Sequence, residues 1–289
     1  MQFLKRWNRP DKILRNFDNN LTILPNIIAV ALSHMMLADL HIHSTFSDGK
    51  FSIPEIIDFY GKRNFKIIAI TDHLCEEESF LGKASFYLQK TLTKETFQEY
   101  LAIIKTEGAR ALSEYGMLVI AGVELTKNSL SFHRSAHILA LGISEYISAD
   151  ESIKEIISKI KLQGALAIAA HPVSTKKVEH QTYHLWDQRE DLKNHFDAWE
   201  VASGPHLFEE VMNSGLPIIA SSDFHHEKHI RSWKSLLHCE LNFESVKSAV
   251  RNQQIEFTFY EEKLHSSFFT RISLNHSGSS NGRSCPAVG

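Results

Sequence analysis

The sequence predicts an α/β barrel, and three observations carry that expectation. Short β-branched runs alternate with longer amphipathic stretches through most of the 289 residues, which is the pattern of repeated β–α units rather than of a sandwich or a bundle. Several apolar runs end on His, Asp or Glu, as strands do where they open onto the mouth of a barrel. The hydrophobic fraction of 43% is ample for one large core or two small ones.

Taken in order, strands are expected at residues 37–41, 66–71, 117–125, 136–141, 165–170, 198–202 and 217–222, and seven strands come close to a complete barrel. Helices are expected at 53–64, 94–115, 152–163, 206–213 and 243–251. Ser52 with Pro54 opens the first helix, and Thr93 with Glu95 and Thr96 opens the second. The short links 63–65 and 214–216 follow helices and lead into strands, so they mark the bottom of the barrel and put the functional face opposite. Residues 1–35 carry mixed charge without a clear period and read as an N-terminal extension or an upstream misassigned start. The barrel is expected over 36–262, followed by a flexible Ser-, Gly- and Asn-rich tail over 263–289.

Composition excludes some functions. A net charge of −3 and a pI near 6.6 give no global basic field, so tight electrostatic binding to duplex nucleic acid or an anionic membrane is not indicated. Cys75, Cys239 and Cys285 lack C-x-x-C spacing, which fits a reducing compartment and argues against a zinc–thiolate site. No apolar run reaches the ~18 residues of a membrane span. The nearest candidate, 23–37, is interrupted by Pro25, Asn26, Ser33 and His34, and a cytoplasmic protein is expected. Seventeen histidines raise the expectation of metal binding or proton transfer.

The chemistry concentrates at strand ends. His41 and His43 stand two residues apart where the first strand ends, about 7 Å along an extended chain and on one side of it, able to converge on one ion. The second strand runs into Thr71-Asp72-His73, the third into Gly122-Val123-Glu124, the fifth into His171-Pro172 and the seventh into Asp223-Phe224-His225. Five apolar strands ending this way would be costly to bury without compensation, and shared cations supply it.

In this order the motifs resemble those of the PHP family, the polymerase and histidinol phosphatase superfamily. They are Asp39-Leu40-His41-Ile42-His43-Ser44 with Ser47-Asp48-Gly49, then Thr71-Asp72-His73, Gly122-Val123-Glu124, His137, His171-Pro172 and Asp223-Phe224-His225, covering residues 36–240. The resemblance implies a distorted seven-stranded (β/α)7 TIM-like barrel holding up to three divalent ions. By position, the first ion would be held by His41, His43, Glu124 and Asp223. The second would share Glu124 and add His137 and His171, and the third would use Asp48, His73 and His225. Asp48 precedes Gly49 and could also be simply a turn residue, though a ligand is the favoured reading. His137 falls inside its strand, so the resemblance alone selects it. Glu124, as the bridge between two cations, and Asp72 are the catalytic candidates; Asp72 and Asp39 are expected to orient ligand histidines. Glu200, near the end of the sixth strand, reads as a structural group or a contact to water or metal.

A nitrogen and carboxylate set without thiolates suits Zn, Mn or Fe. Cations bridged by Glu124 would lower the pKa of a shared water and neutralise phosphate oxygens, so no serine or cysteine nucleophile is required. Arg134 and Arg231 are the candidate substrate contacts, since a guanidinium matches phosphate in a bidentate manner; Lys127, Lys176 and Lys177 read as solvated charge. Family substrates range from histidinol phosphate to nucleoside bisphosphates and oligonucleotide ends. Here Thr71-Asp72-His73 continues as Leu74-Cys75-Glu76-Glu77-Glu78, where nucleotide-acting members continue with Asp-Thr. Three acids near the mouth would repel a long polyanion, which favours a small phosphomonoester over nucleic-acid ends as the partner. The alternatives are a nuclease or nucleoside bisphosphate phosphatase using the same site, hydrolysis of a non-phosphate bond such as an amide, and a metal-stabilised binding module.

Overall fold

The computed structural model describes residues 35–77, 91–127, 135–173, 183–261 and 270–272. The expectations for residues 1–34 and for most of 263–289 lie outside them. In chain order the first half runs β1 (Met35–Asp39), α1 (Ile53–Gly61), β2 (Ile67–Ile70), β3 (His73–Cys75), α2 (Lys94–Tyr115), β4 (Leu118–Lys127), β5 (Ala136–Leu141), α3 (Ile153–Leu162) and β6 (Leu166–Ala169). The second half runs α4 (Tyr183–Asp187), α5 (Arg189–Leu192), β7 (Ala198–Ser203), β8 (His206–Leu207), α6 (Glu209–Met212), β9 (Ile218–Ser221), a 3-10 turn (Glu227–Ile230), β10 (Trp233–His238), α7 (Phe243–Arg251), β11 (Ile255–Phe259) and β12 (Thr270–Ile272).

All the strands belong to one curled, mixed sheet. β1 pairs in parallel with β2, β2 with β4, β6 with β7 and β7 with β9. β5 runs antiparallel to both β4 and β6, so the uniform alternation expected of a regular barrel does not hold there. The reason is length: a parallel crossover needs about a dozen residues or more, and the chain from Lys127 to Ala136 is shorter than that. At the other side of β1 the strands β10, β11 and β12 add in antiparallel order. β12 falls within the segment expected to be a tail.

The curl brings β9 back to β1. Ser235 Oγ of β10 accepts from Ala220 N at 3.0 Å and donates to Ala220 O at 2.9 Å. Just beyond β9, His43 N donates to Phe224 O at 2.8 Å and Phe224 N donates to His41 O at 3.1 Å, a parallel bridge between Ile42 and Phe224. Thus the two motifs carrying most of the histidine pairs are laced together by backbone bonds.

Helix boundaries follow their caps. Ser52 and Glu55 form a capping box ahead of α1, and Thr93 accepts from Thr96 N ahead of α2, which ends on Gly116 at φ 58°. α1 stops at Gly61 rather than near 64, and Asn64 at φ 60° makes the turn into β2. The helix expected over 206–213 is shorter: Gly204, at φ 57°, folds β7 back onto β8 with Ser203 opposite His206, and only Glu209–Met212 is helical. β2, β5, β6 and β9 are buried along their whole length, packed against Ile53, Ile56, Ile57 and Tyr60 of α1, Ile156, Ile157 and Ile160 of α3, and Val246, Ala249 and Val250 of α7. Among the described residues no helix is long and apolar enough to cross a membrane.

Candidate metal centre

Strand order decides which side chains meet. β4 is long enough for its first half to pair with β2 and its second half with β3, and that register sets His73 opposite Glu124. The bridge between Ile42 and Phe224 sets His41 and His43 beside Asp223. His171 follows β6, and its peptide N–H reaches across to β7. His171 at φ 26° and Asp223 at φ 53° both hold left-handed backbone conformations that cost a β-carbon residue energy and gather at sites where surrounding bonds enforce them.

Glu124 lies at the middle, fully buried. Its Oε1 is 2.9 Å from His137 Nδ1 and 3.2 Å from His171 Nε2. Its Oε2 is 2.8 Å from His73 Nδ1, 3.5 Å from His43 Nε2 and 3.6 Å from His41 Nε2. Asp223 Oδ1 faces the same two histidines, at 3.3 Å from His43 Nε2 and 3.4 Å from His41 Nε2. Nearer the solvent, Asp48 Oδ1 is 3.1 Å from His225 Nε2 and 3.6 Å from His73 Nε2. Asp48 sits in a turn and also faces these histidines, so the two readings of it are compatible.

Three wholly buried atoms in this cluster, His41 Nε2, His43 Nε2 and Glu124 Oε2, make no hydrogen bond. The close approach of His73 Nδ1 to Glu124 Oε2 is a charge contact, because that nitrogen bonds Thr126 Oγ1 at 2.9 Å. Leaving each such atom unpaired costs about 1–3 kcal/mol, so convergence of three calls for a shared partner. Ligands on a tetrahedral zinc at ~2.1 Å stand about 3.4 Å apart. The four cross-distances from His41 and His43 to Glu124 and Asp223 are 3.3–3.6 Å; His41, His43 and Asp223 converge as one group that fits a cation, with Glu124 Oε2 facing both histidines.

Two further groups of donor atoms come together: His41, Glu124 and His171, and His43 with Asp48, His73 and His225. His137 touches Glu124 but stands outside the tighter second group. His43 cannot serve two ions, since a neutral imidazole offers one lone pair. Its Nε2 faces the first group, and its Nδ1 is 3.4 Å from Ser47 Oγ, which leaves Asp48, His73 and His225 for the outer group.

The charges respond to this crowding. Burial, aided by the neighbouring His225 and His73, pushes His43 down to about 3. Burial works against the proton on His225 too, but the Asp48 hydrogen bond and the Asp223 charge outweigh it and raise this ring to about 9. Burial would raise Glu124 and Asp223, yet surrounding histidines hold both well below the carboxylate range.

The outer partners differ from expectation in part. Asp72 does not touch the cluster: Oδ1 accepts from Ser44 N at 2.8 Å and Ser47 Oγ at 2.6 Å, and Oδ2 accepts from Ser44 Oγ at 2.7 Å. Its reach to His43 runs through Ser47, so it lies one hydrogen bond behind the cluster. Asp39 bonds no histidine; it accepts from Tyr60 Oη at 2.8 Å and Ser222 Oγ at 2.6 Å, and pairs with Lys234 Nζ at 2.8 Å. Glu200 is the carboxylate that does hold His41, with Oε1 3.1 Å from His41 Nδ1. Its signal in the sequence was a lone acid inside an otherwise apolar strand.

Arg134, Lys176 and Lys177 lie outside the described residues. Arg231 is exposed and pairs with Glu261 at 3.3 Å. Lys127 is spent on Glu76 at 2.6 Å and on the carbonyls of Ala149 and Glu151. Glu77 accepts from Tyr146 Oη at 3.0 Å, and Glu78 lies outside the described residues. The acidic run is thus neutralised in part and repels a polyanion less than its sequence suggests.

A family model, the PHP domain, matches residues 39–209. An uncharacterized protein of Methanocaldococcus jannaschii is 31% identical over 150 residues, 48% of this chain and 69% of that one. The phosphoribosyl 1,2-cyclic phosphate 1,2-diphosphodiesterase of Eggerthella lenta is 27% identical over 111 residues, 38% of this chain and 32% of that protein. Among solved structures, a two-domain protein of Bacteroides vulgatus containing a predicted PHP-like metal-dependent phosphoesterase superposes with TM-score 0.54 at 19% identity, covering 78% of this chain and 65% of that one. The chain therefore spans about a third of the E. lenta protein and just under two thirds of the B. vulgatus one. The last of these likenesses is one of fold; the match of a single family model to more than half of the sequence is one of descent, and the chain belongs to the PHP domain family.

Proposed function

We propose that this chain hydrolyses a phosphate ester, most simply a small phosphomonoester, with up to three divalent cations (Mn, Zn or Fe) held by the histidines and carboxylates just described. The observation that carries the reading is the quartet of His41, His43, Glu124 and Asp223, in which buried, unbonded atoms face one another at metal-ligand spacing. In this reading the curled sheet is a distorted seven-stranded barrel of β1, β2, β4, β5, β6, β7 and β9.

Cations bound here supply Lewis acidity and ionise water at neutral pH. The chain's own part is to fix which atoms face the substrate. Glu124 presents one oxygen to the His41 and His43 side and the other to the His171 side, so it sets the spacing of two adjacent ion positions. His225 Nδ1 donates to Asp223 O at 2.9 Å, so in the neutral ring the lone pair is on Nε2. Asp48, 34% exposed at its side chain, and His225, 22% exposed, form the solvent-facing rim where a phosphate would enter. Among the described residues, two of the cations that could grip a long polyanion are committed elsewhere, Lys127 to Glu76 and Arg231 to Glu261, which favours a small substrate. The E. lenta relative is named for opening a cyclic phosphate diester, and this keeps a small phosphodiester as the second reading.

The test is turnover by the metal-loaded chain of an aryl phosphate, a bis-aryl phosphate and a short labelled oligonucleotide, with metal content measured on the same sample. Aryl phosphate should be preferred, and His43→Ala or Asp223→Ala should lower kcat by about 10²–10³-fold or more while the fold survives. Near-normal kcat with full metal loading in either variant would sink the assignment of the first ion.

A further inference from the structure

Glu200 is fully buried in β7, between His41 and His171, which share a donor group with Glu124; since His41 also faces His43 and Asp223 and has one lone pair to give, assigning it there leaves His171 to the neighbouring position. One oxygen, Oε1, lies 3.1 Å from His41 Nδ1. The other, Oε2, accepts the peptide N–H of His171 at 2.7 Å. An ionised carboxylate only accepts, so the His41 nitrogen facing it must carry the proton. That leaves His41 Nε2 as the single lone pair of the ring, and it is this atom that stands 3.4 Å from Asp223 and 3.6 Å from Glu124 without a hydrogen bond. On its other side the same carboxylate anchors a backbone held at φ 26°, where the His171 ring is turned to place Nε2 3.2 Å from Glu124.

We infer that Glu200 is a positioning residue for two metal sites at once: one oxygen fixes the tautomer of His41, and the other pins the strained peptide of His171. The inference rests on the metal-dependent reading above and deepens it. The rings of His41 and His171 stack with centroids 5.8 Å apart and planes 12° apart. A glutamine in this place keeps the shape but not the chemistry. If its oxygen takes the His171 peptide N–H, its NH₂ faces His41 Nδ1 and favours the tautomer that protonates Nε2; if it takes His41, its NH₂ opposes the His171 N–H.

The measurement is zinc or manganese affinity of Glu200→Gln by calorimetry, beside the metal-induced rise in melting temperature. Loss of a partner that orients a ligand histidine weakens binding by about 10–100-fold. Both ion positions should weaken together, and the melting rise on adding metal should shrink. A role confined to packing would lower the metal-free melting temperature and leave the metal-induced rise unchanged. Affinity within twofold of wild type would overturn the inference, whereas failure of the wild-type chain to bind any metal would overturn the functional reading instead. Should the variant not fold, histidine ¹⁵N correlations on the zinc-loaded wild-type chain decide the matter: His41 must be metallated at Nε2 and protonated at Nδ1, and the reverse would refute the assignment.

Discussion

Gly49 stands where the chain folds back on its own ligand loop. A β-carbon there would lie 2.2 Å from the carbonyl oxygen of His43, a contact no side chain tolerates. The close approach exists because Ser47 N and Gly49 N both donate to Ser44 O, which pulls Asp48 over the histidines. Gly49→Ala should therefore push this loop outward. We expect a loss of about 1–3 kcal/mol in a denaturant melt, together with loss of the outermost ion, read as metal content per chain. Asp-Gly in the sequence announced a turn, and the turn is there; what the dipeptide could not announce is that His43 lies directly beneath it. Glu200 was legible only as an odd acid in an apolar run, because both its partners lie at least 29 residues away in the chain.

β10 carries the matching lesson for elements. Trp233–His238 was not expected as a strand, since Lys234 and Ser235 interrupt its apolar pattern. Both are completely buried, because each has a distant partner: Lys234 pairs with Asp39 of β1, and Ser235 bonds the backbone of β9. Periodicity treats a polar residue as facing water and is blind to a partner supplied by another strand. Where an apolar run is broken by a single residue, as by His137 in β5, or where caps mark both ends, as in α2, the expected and observed limits coincide. The buried pair yields a prediction. Lys234→Met leaves Asp39 charged in the interior beside Tyr60 and Ser222 and should cost about 3–5 kcal/mol. Adding Asp39→Asn should recover part of that loss, and chemical denaturation of the two variants compares them.

At the scale of the whole molecule the metal-free centre makes stability depend on pH. His225 holds its proton up to about 9, against ~6.5 in an unfolded chain. A folded value above the unfolded one stabilises fully below pH 6.5, and that contribution disappears as pH rises through 9. His41 and His73 are also raised, Glu200 and Glu124 respectively being the leading attractions that overcome burial, and they act in the same sense. His43, driven down to about 3 chiefly by burial, opposes this at the low end of the window, where its unfolded form is still about half protonated, and adds no slope well above ~6.5. In chelator, then, the melting temperature should fall from pH 6.5 to 9, and Asp48→Asn should blunt the fall. With zinc or manganese the trend should reverse, because the cations need the same nitrogens free of protons. A flat chelator profile would contradict the charge pattern described for the centre.

The bridge between Ile42 and Phe224 also dictates a timetable. His41 and His43 leave the ribosome early, yet Asp223 and His225, with the strand that shelters Asp39, are translated far later and beyond the family match at 39–209. A nascent chain can hold part of this donor set for most of its synthesis but cannot complete it. On the proposed reading, the full donor set can form only after Asp223 and His225 have been synthesised, and a product stopped short of Asp223 is left with unpaired imidazoles and an uncovered β1 edge for quality control to find.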